Sequence, residues 1–486
     1  MLPTNLKRKG NMTHAQTIVA PAALRDRTGV ASFTAGIRGS VLRPGEAGYD
    51  EARKIWNGMI DKRPALIARC AGVADVIHSV NFARPNNLLV AVRGGGHNIA
   101  GNAVCDDGLV IDLSRMKSVR VDPAHRTARA EPGVTWREFD HATQTFGLAT
   151  TGGQISTAGI AGLTLGGGWG YLARKHGLAC DNLLSVDVVT ADGRFLTASA
   201  AKNADLFWGV RGGGGNYGVV TSFEYQLHPV GPVLGGIVAY PIQKAKTVLE
   251  LFRQVTSTAP DELAFDVVLI NLPDGTPVVG MNICYNGPIA EGERVVRPLR
   301  SAGSPVLDQV GPIPYTAVQQ LLDSFYPFGL QSYWKSSFLK EVSDGAIDTM
   351  VEYCGRRPTP ICHGLIEHQL GGAVRRADRE ATAFANRDVE YSFMSLGVCA
   401  NPGDAEMCVR WTREFWSDMQ PYSTGGVYVN YLGREADEGP ERIKAAYGPE
   451  KFARLVALKN KYDPDNLFRF NQNINPSQAA PEAISA

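Results

Sequence analysis

Two spacings of apolar residues alternate along the chain after Ala65. VADVIHSVNFARPNN carries apolar positions three and four apart, which predicts a helix ending before Pro85. LLVAVRGGG reads as a buried strand that runs into a glycine loop. GLVIDLSRMKSVRVD and TARAEPG read as short strands separated by the turn DPAH. VDVVTADGRFLTAS has the pattern of a hairpin with Asp192-Gly193 as its turn, and VVTSFEYQLHP closes this half with another strand. Ahead of all this, residues 1–60 read as a lead-in with one helix near EAGYDEARKIWNGM.

The pattern changes near Gly231-Pro232. VLGGIVAY, ELAFDVVLINL and TPVVGMNICY predict long strands, the last two joined across Pro273-Asp274-Gly275. KAKTVLELFRQV and EMCVRWTREFWSDM predict helices with one apolar stripe each. Long strands with intervening helices imply an α+β unit on an antiparallel sheet over about 231–420. From 421 to 476 the chain holds GVYVNYLG, read as a strand, and the helix KFARLVALKNKY, with Phe452, Leu455, Val456 and Tyr462 on one face. Asp463-Pro464 then reads as an N-cap followed by proline at the first helical position. Residues 477–486, rich in Ala, Pro and Ser, read as a loose tail.

Length and charge narrow the class. The chain has 486 residues, enough for two or three domains with a large core. Forty-nine Lys and Arg balance 48 Asp and Glu, which gives no electrostatic case for nucleic acid or an anionic membrane. No run of apolar residues is long enough to span a bilayer, and MLPTNLKRKGNMTHAQ lacks the apolar core of a signal peptide. Met12 is a second possible start. The eight cysteines lack CxxC spacing, which argues against zinc and against a disulfide framework, so they are expected to be buried free thiols in a cytoplasmic protein with no metal.

Three glycine clusters carry the candidate chemistry: Gly94, Gly95 and Gly96; Gly166, Gly167 and Gly168; and residues 212–215. Glycine lets backbone N–H groups converge on a ligand, and such concave arrays bind phosphates. Gly213, Gly215 and Gly218 satisfy GxGxxG, but the β-patterned VVTSFEYQLHP follows where a dinucleotide fold needs a helix. Gly168, Gly170 and Ala173 satisfy GxGxxA, with Asp187 downstream, yet GIAGLTLGG is a doubtful strand before them. There is no GxxxxGK[ST].

In order along the chain stand RGGGHNIAG, TTGGQISTAGIAGLTLGGGWGYLARKHGLACDNL, VVTADG and DLFWGVRGGGGNYGVVTSFEYQL. Together they resemble the FAD-binding domain of the berberine bridge enzyme-like flavoproteins, within the vanillyl-alcohol oxidase superfamily. The tail YVNYLG…YGPEKFARLVALKNKYDPDNLFRFNQNI is similar to that family's C-terminal element. The resemblance implies an α+β protein: a two-subdomain PCMH-type FAD-binding domain over 61–230, an α/β substrate domain with a large antiparallel sheet over 231–420, and a C-terminal element over 421–476 returning to the FAD domain. It places the FAD pyrophosphate against Arg93, Gly94, Gly95, Gly96 and Asn98, and the flavin on His97 through a covalent bond. It runs the second loop, with Gly153, Ile155, Gly159 and Gly162, along the cofactor. Asp181, Asn182, Gly218, Val220, Asn430, Asn471 and Asn473 are implied as further contacts. Many members add a cysteine tether ahead of the second cluster; GGQISTAG has none, with Ile155 near that place, so a single histidyl link is expected. His176 and His228 read as ordinary polar histidines.

The family's chemistry is removal of a hydride by flavin from a carbon bearing OH or NH, while a base takes the heteroatom proton. Its tyrosine often stands in a Y-x-N strand, which Tyr428-Val429-Asn430 matches; alternation would put Tyr431 on the opposite face. Tyr428 is thus the expected base. Trp169, Lys335, Glu367, His368, Gln369 and Tyr431 are candidate substrate contacts, with Glu367 and Gln369 on one strand face and His368 on the other. The implied partners are a small molecule and O₂, which would yield H₂O₂. A flavin dehydrogenase with another acceptor, a non-catalytic flavin-binding protein and a nicotinamide-dependent dehydrogenase are the alternatives.

Overall fold

A computed structural model describes residues 27–272 and 274–477. The expectations for the N-terminal stretch, Met12, Pro273 and the tail beyond 477 lie outside them.

The first half builds two main sheets and a two-stranded pair, Leu148–Ala149 with His228–Pro229. Leu66–Arg69, Leu109–Asp112 and Val90–Arg93 pair in parallel, and Ser40–Leu42 adds an antiparallel edge. Helix Val73–Ala83 covers them, burying Val76, Val80 and Ala83 at the expected spacing. The second sheet is antiparallel, in the order Val119–Asp122, Thr127–Ala130, Val219–Gln226, Leu183–Val189, Phe195–Ser199. The lead-in holds more than the one expected helix: Arg27–Ala35 and Tyr49–Ala52 are both helical, beside the strand Ser40–Leu42. Ile160–Leu165 is helical, so the GxGxxA stretch follows a helix instead of the strand a dinucleotide fold requires.

The second half is one eight-stranded antiparallel sheet. Its long strands include Val233–Pro241, Leu263–Asn271, Pro277–Tyr285, Gln331–Leu339, His363–His368 and Tyr391–Cys399. Helices Ala245–Thr256, Asp344–Gly355 and Ala405–Met419 cover one face, where Phe252, Phe265, Val267, Ile366 and Phe415 share a core. Side chains alternate along a strand, so Asp266, Val268 and Ile270, together with Leu365 and Glu367, fall on the other face and line a cavity. The α+β class and large antiparallel sheet are those expected.

The C-terminal element departs from its expected form at two places. GVYVNYLG is no strand: Val429–Tyr431 is one turn of 3₁₀ helix. No helix starts at Asp463; helix Pro449–Tyr462 ends there. The Asp463 carboxylate accepts from the Leu467 and Phe468 N–H groups at 2.7 and 2.9 Å and pairs with Lys459 Nζ at 2.7 Å. It closes a turn that sends the chain back to the cavity, where Phe468, Phe470, Asn471 and Gln472 line the wall. All eight cysteines are buried and free. No helix among the described residues is long and apolar enough to cross a membrane, and none of those residues form a cluster able to hold a metal ion.

Candidate active site

Strand Val90–Arg93 delivers the first glycine loop. Arg93 stands beside Asp112 in the parallel register, and its guanidinium grips that carboxylate at 3.1 and 2.5 Å. A further bond runs to the Ala52 carbonyl, so Arg93 anchors the loop from beneath and does not line the cavity. Beyond it, Gly95 meets Gly159 of the second loop backbone to backbone. A Cβ on Gly95 would sit 2.4 Å from the Gly159 nitrogen, and one on Gly159 would sit 2.6 Å from the Gly95 nitrogen. Only glycine at both positions permits this approach. Gly96 takes φ of 72°, and His97 follows in the cavity wall, its ring stacked on Trp56 at 5.4 Å. Burial pushes the His97 imidazole down to about 4, so it is neutral at pH 7.

The cavity, of about 430 Å³, lies between the glycine loops, the large sheet and the returning C-terminal chain. Gly94, Gly95, Gly96, Asn98, Gly153, Ile155, Gly159, Gly162, Gly218, Val220, Asn430 and Asn471 all line it. Its wall fits a dinucleotide on two counts. A Cβ on Gly162 or Gly215 would meet nothing within 4 Å, which leaves backbone open to close approach. Asn102 is buried with both amide atoms unpartnered, and Asn471 Oδ1 is likewise free of any protein partner. Asn102 was not singled out from the sequence; its signal is position, since its N–H donates at 3.0 Å to Asn98 Oδ1, four residues earlier. Three expected contacts lie elsewhere. Asp181 is held by Arg387 at 2.6 and 3.0 Å, Asn182 bonds the His176 and Leu178 carbonyls, and Asn473 donates to Asn475.

Two tyrosines also line the cavity. In a 3₁₀ turn residues three apart eclipse, so Tyr428 and Tyr431 share a side and pack edge to face at 4.9 Å, not on opposite faces as a strand would set them. The Tyr428 oxygen accepts from the Gly168 N–H at 2.9 Å and from Asn430 Nδ2 at 2.7 Å. Both lone pairs are then used, and its own proton points to neither donor. Burial raises the Tyr428 hydroxyl, and these two donors oppose that rise. Trp169 stacks on Tyr428 at 3.8 Å. Tyr431 donates to Glu367 at 3.2 Å. Burial, then the charge of Asp266, drives the Glu367 carboxyl upward.

The remaining candidates are dispersed by strand alternation. Trp334 faces the cavity, so its neighbour Lys335 faces away and pairs with Asp437 at 2.7 Å and with Glu438. His368 faces the helices, accepting from Arg174 Nη1 at 3.0 Å and stacking on Tyr391. Gln369 stands behind the wall and donates to Asp266 at 2.8 Å. Asp266 and Tyr326 line the cavity without having been singled out beforehand; Tyr326 donates to His363 Nε2 at 3.0 Å, a pairing 37 residues apart that no local pattern signals.

Residues 64–199 match the family described as FAD binding domain, and residues 427–475 the family described as Berberine and berberine like. An FAD-linked oxidoreductase of Dictyostelium discoideum is 34% identical over 92% of this chain and 97% of its own. The solved structure of 6-hydroxy-D-nicotine oxidase from Arthrobacter nicotinovorans is 30% identical, with a TM-score of 0.83, covering 90% of this chain and 98% of its own. Carbohydrate oxidase from Microdochium nivale is 25% identical, with a TM-score of 0.80, covering 92% and 99%.

Proposed function

The chain belongs to the berberine bridge enzyme-like FAD-linked oxidoreductases, and from that premise we propose that it is an oxidase whose flavin is carried on His97 by a single covalent link. FAD bound there supplies hydride acceptance from a C–OH or C–NH carbon of a small molecule and delivery of the electron pair to O₂, giving H₂O₂. The observation that carries the reading is the cavity itself, whose wall holds both an imidazole at the end of the first glycine loop and a phenol whose oxygen already accepts two N–H groups.

The residues divide the work. Gly94, Gly95, Gly96, Asn98, Gly159 and Gly162 give the dinucleotide backbone and amide contacts, with Asn102 and Asn471 supplying free amide atoms. The neutral His97 ring offers a nitrogen for the link. The loop 153–162 contains no cysteine, and Cys180 is buried outside the cavity, which favours one tether over two. Tyr428 takes the heteroatom proton, its phenolate supported by Gly168 N–H and Asn430. Glu367, Tyr431 and Trp169 hold the substrate's polar end, and the apolar strand face of Val268, Ile270 and Leu365 keeps water out.

Acid precipitation is the direct test. The precipitated protein stays yellow, and His97→Ala releases FAD into the supernatant. A colourless precipitate from the wild-type protein overturns the covalent link. A substrate-reduced flavin that persists in air overturns the oxidase reading while leaving the link intact.

A further inference from the structure

Asp266 and Glu367 stand directly opposite one another on antiparallel strands Leu263–Asn271 and His363–His368. Both line the cavity, and both are almost wholly buried. Directly opposed like charges destabilise a sheet, and burial deepens the penalty. Among the described residues no lysine or arginine forms an ion pair with either carboxylate. The titratable groups facing them are the phenols Tyr171, Tyr326, Tyr428 and Tyr431, all raised by burial. His368 is turned to the other face of the sheet, against Arg174. Two opposed carboxylates without a counter-cation require a proton.

The hydrogen-bond partners say which of the two carries it. Asp266 is met by side-chain amides: Gln369 Nε2 donates at 2.8 Å, Gln154 Nε2 donates to the other oxygen, and Asn282 stands beside them. An amide nitrogen can only donate, so this surrounding suits a carboxylate. Glu367 is met by the hydroxyls of Tyr431 and Ser392 and by the Trp169 indole. A hydroxyl can turn and accept, so Glu367 can keep a proton and still be bonded.

We propose that Asp266 and Glu367 hold one proton between them, with Asp266 as the charged positioning residue and Glu367 presented to the substrate as a neutral acid. Glu367 then offers an O–H, and the substrate feature it selects is a hydrogen-bond acceptor, such as a hydroxyl oxygen or an uncharged nitrogen. Asp266 acts on the substrate only through Glu367. The selection rests on the cavity being the substrate site, as proposed above; the proton count does not.

Infrared titration of the purified holoprotein, without substrate, tests the proposal. The wild-type protein should show a protonated-carboxyl band that persists well above the ordinary carboxylate range near pH 4 and titrates on the neutral to alkaline side. Glu367→Gln should remove the Glu367 part of that band, leaving only what the buried Asp140 carboxyl contributes. Asp266→Asn should keep the Glu367 part but lower its midpoint by at least one pH unit, a tenfold change in proton affinity. Flavin absorbance checks that each variant is folded, and Asp266→Ser serves if the amide variant is not. A band unchanged by Glu367→Gln, a midpoint of the Glu367-dependent part unmoved on removing Asp266, or a wild-type protein without such a band overturns the proposal. Because no turnover is read, a failed oxidase reading would leave this result untouched.

Discussion

Gly95 and Gly159 press their backbones together with no room for a side chain on either. The contact joins the two glycine loops that wall the cavity. Gly95→Ala should therefore force the loops apart, lowering stability by about 1–3 kcal/mol, as for an overpacked core. Thermal unfolding measures the first effect, and the flavin-to-protein absorbance ratio should fall with it. Gly162→Ala is the contrast: its Cβ meets no protein atom and it stands inside helix Ile160–Leu165, so it should keep or raise the unfolding temperature of the flavin-free protein, by up to about 1 kcal/mol of helix propensity, while reducing flavin content.

Tyr428→Phe should slow substrate-driven flavin reduction by about 10²–10⁴-fold, the usual scale for a lost general base. The flavin spectrum should stay as in the wild-type protein, because the ring still packs on Trp169. Stopped-flow reduction reads this directly. Unchanged reduction moves the base to Tyr431.

Lys459 and Asp463 form an ion pair with both side chains fully buried. Asp463→Ala would strand the ammonium and unbind the Leu467 and Phe468 N–H groups. Removing one partner of such a pair costs about 3–5 kcal/mol. Chemical denaturation should show that loss, with flavin weakened as well, since the turn places Phe468 and Asn471 in the cavity wall.

His363 is fully enclosed, and burial pushes its imidazole down to about 4. The unfolded chain protonates it near pH 6.5, so unfolding takes up a proton between these values. Stability from the neutral imidazole is complete above about pH 6.5 and declines as pH falls towards 4. His363→Gln should flatten that part of the stability–pH curve measured by denaturant titration.

The glycine loops were legible because glycine is informative only where a side chain cannot fit, and Gly95 and Gly159 are such places. The large sheet was legible from its period-two runs. The tyrosine turn was misread because a four-residue stretch such as YVNY fits period two as well as it fits three residues per turn, and only packing decides. Asp463-Pro464 carries the same signal whether its carboxylate caps a helix or closes a turn. Lys335 and Asp266 differ by which strand face they occupy, and that depends on pairing partners far along the chain, 102 residues from Lys335 to Asp437 and 103 from Gln369 to Asp266.

The wall contributed by Phe468, Phe470, Asn471 and Gln472 sets an order on biosynthesis. The loops that begin the flavin cleft are made early, but the cleft lacks its last side until residue 472 has emerged from the ribosome. A nascent chain therefore keeps the cleft open on one side through the synthesis of the whole intervening sheet, and the wall is completed only by the C-terminal turn.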